Sequence, residues 1–299
     1  MRIEEWKGDW ALVTGASSGI GREFCVQLAA TGMNLVMVAR RGARLADLAH
    51  ALQLQHATKS VVIEQDLGLP GAATAVKQRA DNEGIAVRLL INNAAFGPWG
   101  PFENTTAEIY ERLVHLVAAT PIAMCRLFLP DLASFPSGAI INLSSPAALQ
   151  PIPYKAVYSA AKSCLHNFSL ALYEEWHESG VHVQTLVPGP TASELDTVGG
   201  AYQSAITERR WPPALVVRAS LSKLAYRAPL VTTAKGVYKQ RIFAGVFPTK
   251  MVVRKVAQMF EPRAQVRKAE EKPSPTSAGA ALPGVRVADT RTRGSPVRR

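Results

Sequence analysis

Two rhythms of apolar and polar residues alternate along the chain. Short, almost continuously apolar runs of strand length lie at residues 10–13, 34–39, 60–64, 87–91, 139–143 and 182–187. Between them lie longer segments with helical spacing, at residues 22–31, 43–55, 72–83, 107–128 and 158–178. Strands that are apolar on both faces are those covered by helices on both sides. Regular alternation of strand and helix predicts parallel βαβ units. The pattern therefore predicts an α/β, doubly wound domain with a central parallel sheet of about seven strands flanked by helices.

The pattern loosens after Ser193. Residues 196–214, with Gly199-Gly200 and Pro212-Pro213, read as a loop or lid, and residues 214–226 read as a helix. Residues 242–260 form an apolar, basic, amphipathic stretch interrupted by Pro248. From Pro262 onward Pro, Ser, Ala, Gly and Arg follow one another without periodicity. This predicts one domain over residues 1–261 and a disordered basic tail over 262–299.

Composition sharpens the picture in three places. No run approaches the eighteen or more apolar residues of a membrane-spanning helix, and the N-terminus has no apolar signal core, so a cytoplasmic protein is expected. Cys25, Cys125 and Cys164 are far apart and have no CxxC spacing, which suits buried, reduced thiols. The net charge of +11 is uneven: residues 1–199 hold 14 Lys+Arg against 18 Asp+Glu, and residues 200–261 hold 11 against 2. A basic amphipathic segment over residues 240–260 is a candidate for peripheral contact with an anionic membrane. A helix that packs on the domain with its charges in water is the plainer alternative. No nucleic-acid-binding motif accompanies the charge. No histidine or cysteine cluster has metal-ligand spacing, so no metal is expected.

The chemistry begins at the first strand–helix turn, Thr14-Gly15-Ala16-Ser17-Ser18-Gly19-Ile20-Gly21. A glycine-rich turn lets backbone approach a pyrophosphate, and the following helix N-terminus supplies free N–H groups and a favourable dipole. The spacing is GxxxGxG, not the GxGxxG of other dinucleotide folds. Further along come Ala39-Arg40-Arg41, Asp66-Leu67, Asn92-Asn93-Ala94-Ala95, Asn142-Leu143-Ser144-Ser145, Tyr158-Ser159-Ala160-Ala161-Lys162 and Pro188-Gly189-Pro190-Thr191. In this order the motifs resemble those of the short-chain dehydrogenase/reductase family, closely over residues 8–195 and loosely over 196–261. The resemblance implies a single Rossmann-type domain and a nicotinamide cofactor held by Gly15, Ser17, Ser18, Gly19, Ile20 and Gly21. It also implies that Asp66 and Leu67 cradle the adenine and that Asn92 holds the loop beside the cofactor. Pro188, Gly189 and Thr191 would cover the nicotinamide. A homo-oligomer paired through long helices is implied as well.

The end of the second strand separates the two cofactors. An acid there accepts ribose hydroxyls and marks NAD, whereas an arginine accommodates a 2′-phosphate. Ala39 stands where the acid would be, and Arg40 and Arg41 follow, so NADPH (NADP+) is expected ahead of NADH. Ser18 occupies a position where NADP-selective family members often carry a basic residue.

Tyr158 and Lys162 are four residues apart on one helix face. A neighbouring ammonium stabilises a phenolate, which brings a tyrosine toward the range of a general acid at neutral pH. By resemblance Ser145, thirteen residues upstream, polarises the substrate carbonyl, Tyr158 donates the proton, and Lys162 also holds the nicotinamide ribose. Ser144 should point to the opposite face of its strand. One family residue is absent: Val117 occupies the slot of a helix asparagine that anchors a relay water, and His115 lies too far around the helix to replace it. Trp99, Phe102 and Trp211 are candidates to line a substrate pocket.

These residues predict an oxidoreductase that interconverts a carbonyl, a hydrophobic ketone or aldehyde, and an alcohol. The absent asparagine keeps open an NADPH-binding scaffold or regulatory pseudoenzyme of the same fold. Nucleotide-sugar epimerisation or dehydration is disfavoured, because that branch uses GxxGxxG and a longer C-terminal domain.

Overall fold

A computed structural model describes residues 3–194 and 210–270. Seven parallel strands form one sheet: β1 (Trp10–Thr14), β2 (Asn34–Ala39), β3 (Ser60–Glu64), β4 (Val87–Asn92), β5 (Ala139–Leu143), β6 (His182–Val187) and the short β7 (Leu230–Thr232). Their order is β3-β2-β1-β4-β5-β6-β7, so the chain reverses direction of travel between β1 and β4. In open α/β sheets that reversal opens a crevice at the carboxyl ends of the strands, where ligands bind. Gly15 and Asn93 stand at its two lips, directly after β1 and β4.

Helices α1 (Gly19–Ala30), α2 (Gly42–His56), α3 (Ala72–Asn82), α4 (Ala107–Val114), α5 (Thr120–Ser134) and α6 (Ala156–Glu175) cover the sheet. Two buried clusters result, one on each face: Phe24, Leu28, Leu35 and Leu89 on the first, and Val36, Leu90, Met124 and Phe128 on the second. Helix α7 (Pro213–Leu224) packs beside α1. Helices α8 (Val237–Val246) and α9 (Thr249–Glu270) follow β7, separated at Pro248.

Several expectations need correction. The single helix expected over residues 107–128 is α4 and α5 joined by a π turn, His115–Ala119. The whole segment Ala107–Ala133 is long and apolar enough by composition to cross a membrane. Here its buried residues Leu113, Val117, Met124, Phe128 and Leu132 pack within the domain. Helix α9 continues across the boundary drawn at 261, because Ala264, Gln265, Arg267, Lys268 and Ala269 are strong helix formers once Pro262 is passed. The remaining tail, and residues 195–209 of the expected lid, lie outside the described residues. Cys25 and Cys125 are buried free thiols, but Cys164 is exposed on α6.

Candidate active site

Two cavities meet at the carboxyl edge of the sheet. The first, about 680 Å³, runs over the β1–α1 turn and the ends of β2 to β4. Gly15, Ser17, Ser18, Gly19 and Ile20 line its floor, Arg40 and Arg41 one end, and Asp66 and Leu67 a side. Gly15 and Gly19 adopt φ of +67° and +55°, a region that favours glycine. A Cβ at Gly21 would lie 2.3 Å from the Gly15 carbonyl oxygen, so α1 can approach the turn only because residue 21 is glycine. With a helix N-terminus facing this bare backbone, the cradle fits a dinucleotide pyrophosphate.

At its far end Arg41 spreads its guanidinium over the turn. Nε and Nη2 donate to Ser17 Oγ at 3.1 and 2.9 Å, Nη2 donates to Ser18 Oγ at 2.9 Å, and Nη1 meets Glu194 at 2.6 Å. Glu194 also pairs with Arg44 at 2.9 Å, and the two guanidiniums hold its carboxyl below the usual carboxylate range. Asp66 accepts from the Gly68 N–H at 2.9 Å and pairs with Arg112.

Two neighbouring asparagines divide their labour. Asn93 Nδ2 donates to the Thr14 carbonyl at 2.8 Å, and Thr14 Oγ1 accepts the N–H groups of Asn93 and Ala94, so Asn93 lines the cavity and ties its lips together. Asn92 is buried and donates across the sheet to Asn142 Oδ1 at 2.8 Å. It fixes the β4–β5 register and does not line either cavity.

Helix α6 brings Tyr158 and Lys162 to the point where the cavities join. Both are buried, and Tyr158 lines both cavities. Lys162 Nζ donates to the Leu143 carbonyl at 2.5 Å and lies 5.9 Å from the Tyr158 ring centroid. Burial pushes the Lys162 ammonium down to about 7. Ser145 follows β5 in extended backbone, and its Oγ accepts the Ala147 N–H at 3.1 Å, which leaves its own proton to be donated. Ser144 borders both cavities, and its hydroxyl shares a 3.1 Å hydrogen bond with the buried His166. The Ser145–Gln150 loop is pinned to α6: Ser159 Oγ donates to the Ala147 and Gln150 carbonyls, and Ser163 Oγ to that of Ala148.

Two residues of the site were not singled out by sequence. A Cβ on Gly97 would sit 2.6 Å from Tyr158 Cδ2, so this glycine makes room for the phenol ring. Lys155, buried one turn before Tyr158, places Nζ 4.7 Å from the phenol ring centroid and 3.9 Å from that of Trp99. Neither signals itself in sequence, since a lone glycine and a lone lysine are common in loops.

The second cavity, about 1090 Å³, opens on the other side of Tyr158. Ser145, Gly189, Thr191, Trp99 and Trp211 line it, as do Phe243, Val256 and Phe260 of α8 and α9. The expected loop over Trp211 is anchored by a bridge to Thr191. Phe102 lines neither cavity; it is exposed and stacks on Tyr110 at 4.9 Å. Val117, in the slot of the absent asparagine, is fully buried against Leu113, Tyr158 and Ala161.

A family model described as short chain dehydrogenase matches residues 9–201, the stretch that builds the first cavity and holds Ser145, Tyr158 and Lys162. The chain belongs to this family. Among short-chain dehydrogenases it is 29% identical over 227 residues to the 7beta-hydroxysteroid dehydrogenase of Collinsella aerofaciens, covering 75% of this chain and 86% of that one. It is 30% identical over 197 residues to the very-long-chain 3-oxoacyl-CoA reductase of Bos taurus, covering 64% of this chain. The chain spans only 62% of that bovine enzyme's length. A solved short-chain dehydrogenase from Sphingobium yanoikuyae, in complex with NADPH, superposes with a TM-score of 0.72 at 25% identity. That match covers 92% of this chain and all of the other.

Proposed function

We propose that the chain is an NADPH-dependent oxidoreductase that interconverts a hydrophobic ketone or aldehyde and an alcohol. The observation that carries this reading is the position of Tyr158, which forms part of the wall of both cavities, with Lys162 lining the first and Ser145 the second. A nicotinamide, when bound in the first cavity, supplies a hydride for a carbonyl carbon in the second. Ser145 donates a hydrogen bond to the carbonyl oxygen and fixes its direction. Tyr158 gives that oxygen its proton, and the Lys162 ammonium stabilises the phenolate left behind. Gly97 and the serine-pinned loop keep these groups in register.

NADPH is favoured over NADH because Arg41 lies at the cradle's end with Ala39 in the place of an acid. A 2′-phosphate arriving there would take over the guanidinium that Glu194 now holds. The substrate's hydrophobic character follows from the largely apolar second cavity; the steroid and acyl-CoA enzymes among the relatives support it. The test is NADPH oxidation against a panel of hydrophobic ketones and aldehydes, with Tyr158→Phe alongside. Turnover that vanishes in the variant is expected. Tight NADPH binding without turnover across the panel would instead favour a scaffold or regulator, the reading for which buried Val117 speaks. Arg41→Glu is expected to lower kcat/KM for NADPH on the order of tenfold or more while sparing NADH; an unchanged ratio would count against the phosphate role.

We further propose a cytoplasmic protein that, on the strength of the family resemblance alone, is a homo-oligomer. Exposed Ile242, Val246, Phe247 and Met251 beside Lys250 and Arg254 support peripheral contact with an anionic membrane. Light scattering and co-sedimentation with anionic liposomes test these two points.

A further inference from the structure

The second cavity has a distribution of charge that carbonyl reduction does not require. Its body is apolar, walled by Trp99, Ile152, Trp211, Phe243, Val256 and Phe260. Helix α9 completes that wall, with the Phe260 ring 5.3 Å from the Trp99 ring and Val252 and Val256 packed on Ile152. Besides Lys155, held over the Trp99 and Tyr158 rings, and Arg210, three further lysines line the cavity: Lys235 before α8, Lys239 on α8 and Lys255 on α9. All three are exposed, and none forms a salt bridge among the described residues. No Asp or Glu lines this cavity among the described residues. The first cavity is different, since Arg41 there is paired with Glu194 and Asp66 with Arg112.

We propose that this second cavity takes an anionic amphiphile: a carbonyl compound with an extended apolar body and a carboxylate or comparable anionic end. The proposal rests on the carbonyl-reducing reading of Tyr158 and Ser145 and adds the chemical class of the substrate. The carbonyl lies against Tyr158 and Ser145, and the body runs along the aromatic wall. The anion meets Lys235, Lys239 and Lys255. Cations of one sign around a low-dielectric cleft focus the field on an incoming anion and raise its local concentration. A neutral apolar substrate would gain nothing from them. The excess of basic residues in the C-terminal third thus has a structural use, because α8 and α9 supply both the apolar wall and two of the three ammonium groups.

The test uses the full chain saturated with NADP+, and as probes a long-chain keto acid and its methyl ester, matched in skeleton. Intrinsic tryptophan fluorescence gives the binding constants, since Trp99 and Trp211 line the cavity; NADPH oxidation gives turnover separately. The acid is expected to bind about tenfold more tightly than the ester. That advantage should shrink as salt is raised. It should disappear in the triple variant Lys235→Gln/Lys239→Gln/Lys255→Gln, while ester binding stays unchanged. Equal binding of acid and ester, no binding of either, or a preference that survives the triple variant would overturn the proposal. Binding is read without turnover. A failure to oxidise NADPH with both probes would therefore count against the reductase reading alone, with the anion preference still decided by the binding constants.

Discussion

Among the described residues no carboxylate pairs with Lys162 to offset its burial, and desolvation brings its ammonium down to about 7. In the proposed reaction the charged form is the one that stabilises the Tyr158 phenolate. Carbonyl reduction should therefore fall as pH rises through about 7, and a kcat–pH profile checks this. Lys162→Arg, which keeps its charge, should move that limb upward at a lower maximum; an unmoved limb would mean another group titrates. The folded chain also binds fewer protons than the unfolded one between about 7 and the ordinary lysine range, so this residue makes stability rise with pH there. Gly97 invites a second substitution. A methyl group there must displace the phenol ring, and misplacement of a reacting group by about 1 Å can cost on the order of 10²-fold. Gly97→Ala should lose kcat by that order while NADPH affinity, measured by fluorescence titration, holds. Tyr158 and Lys162 could be proposed from their one-turn helix spacing, and Ser145 from the family resemblance. Gly97 and Lys155 were not, because their effect comes from contacts across the fold that spacing does not record.

At the level of elements, the six long strands could be read from apolar runs, since burial on both faces leaves little room for polar residues. The three-residue β7 could not, and neither could the π turn, which shifts hydrogen bonding by one residue without changing composition. That turn sits where the family's asparagine would be, and it sets Val117 as an apolar wedge behind Tyr158. Val117→Asn therefore should not restore a relay. It buries an amide among Leu113, Tyr158 and Ala161, and a loss of about 1–3 kcal/mol is expected by urea denaturation. Hydroxyl pins between α6 and the loop after β5 were equally hidden, because Ser159 and Ser163 read as ordinary helix residues. Their carbonyl partners hold the segment that presents Ser145. Ser159→Ala should lower kcat more than it raises the KM for NADPH, since the cofactor cradle lies elsewhere; equal changes in both would deny the loop this role.

For the molecule as a whole, buried His182 is a group whose protonation opposes folding in acid, as is His166, whose imidazole pKa burial also pushes down. His182 begins β6 and is buried, with the Ala228 backbone beside its ring. Its ring stands edge-on to Tyr173 at 5.8 Å. Burial foremost, and then the Arg227 guanidinium, push its pKa down to about 4. Because the folded value lies below the unfolded value of about 6.5, the unfolded chain binds the extra proton between those limits. Stability is then full above about 6.5 and is lost as pH falls toward about 4, by an amount on the order of 3 kcal/mol from this residue. Lys162 does not blur the window, since it is protonated in both states well below 7. Urea melts of the wild type and of His182→Gln across that range measure the difference. The variant's amide does not titrate, so its stability should decline less steeply with acid even if it starts lower. Parallel curves for the two proteins would show that the imidazole keeps its proton in the fold, and that acid lability of the sheet arises from its carboxylates instead.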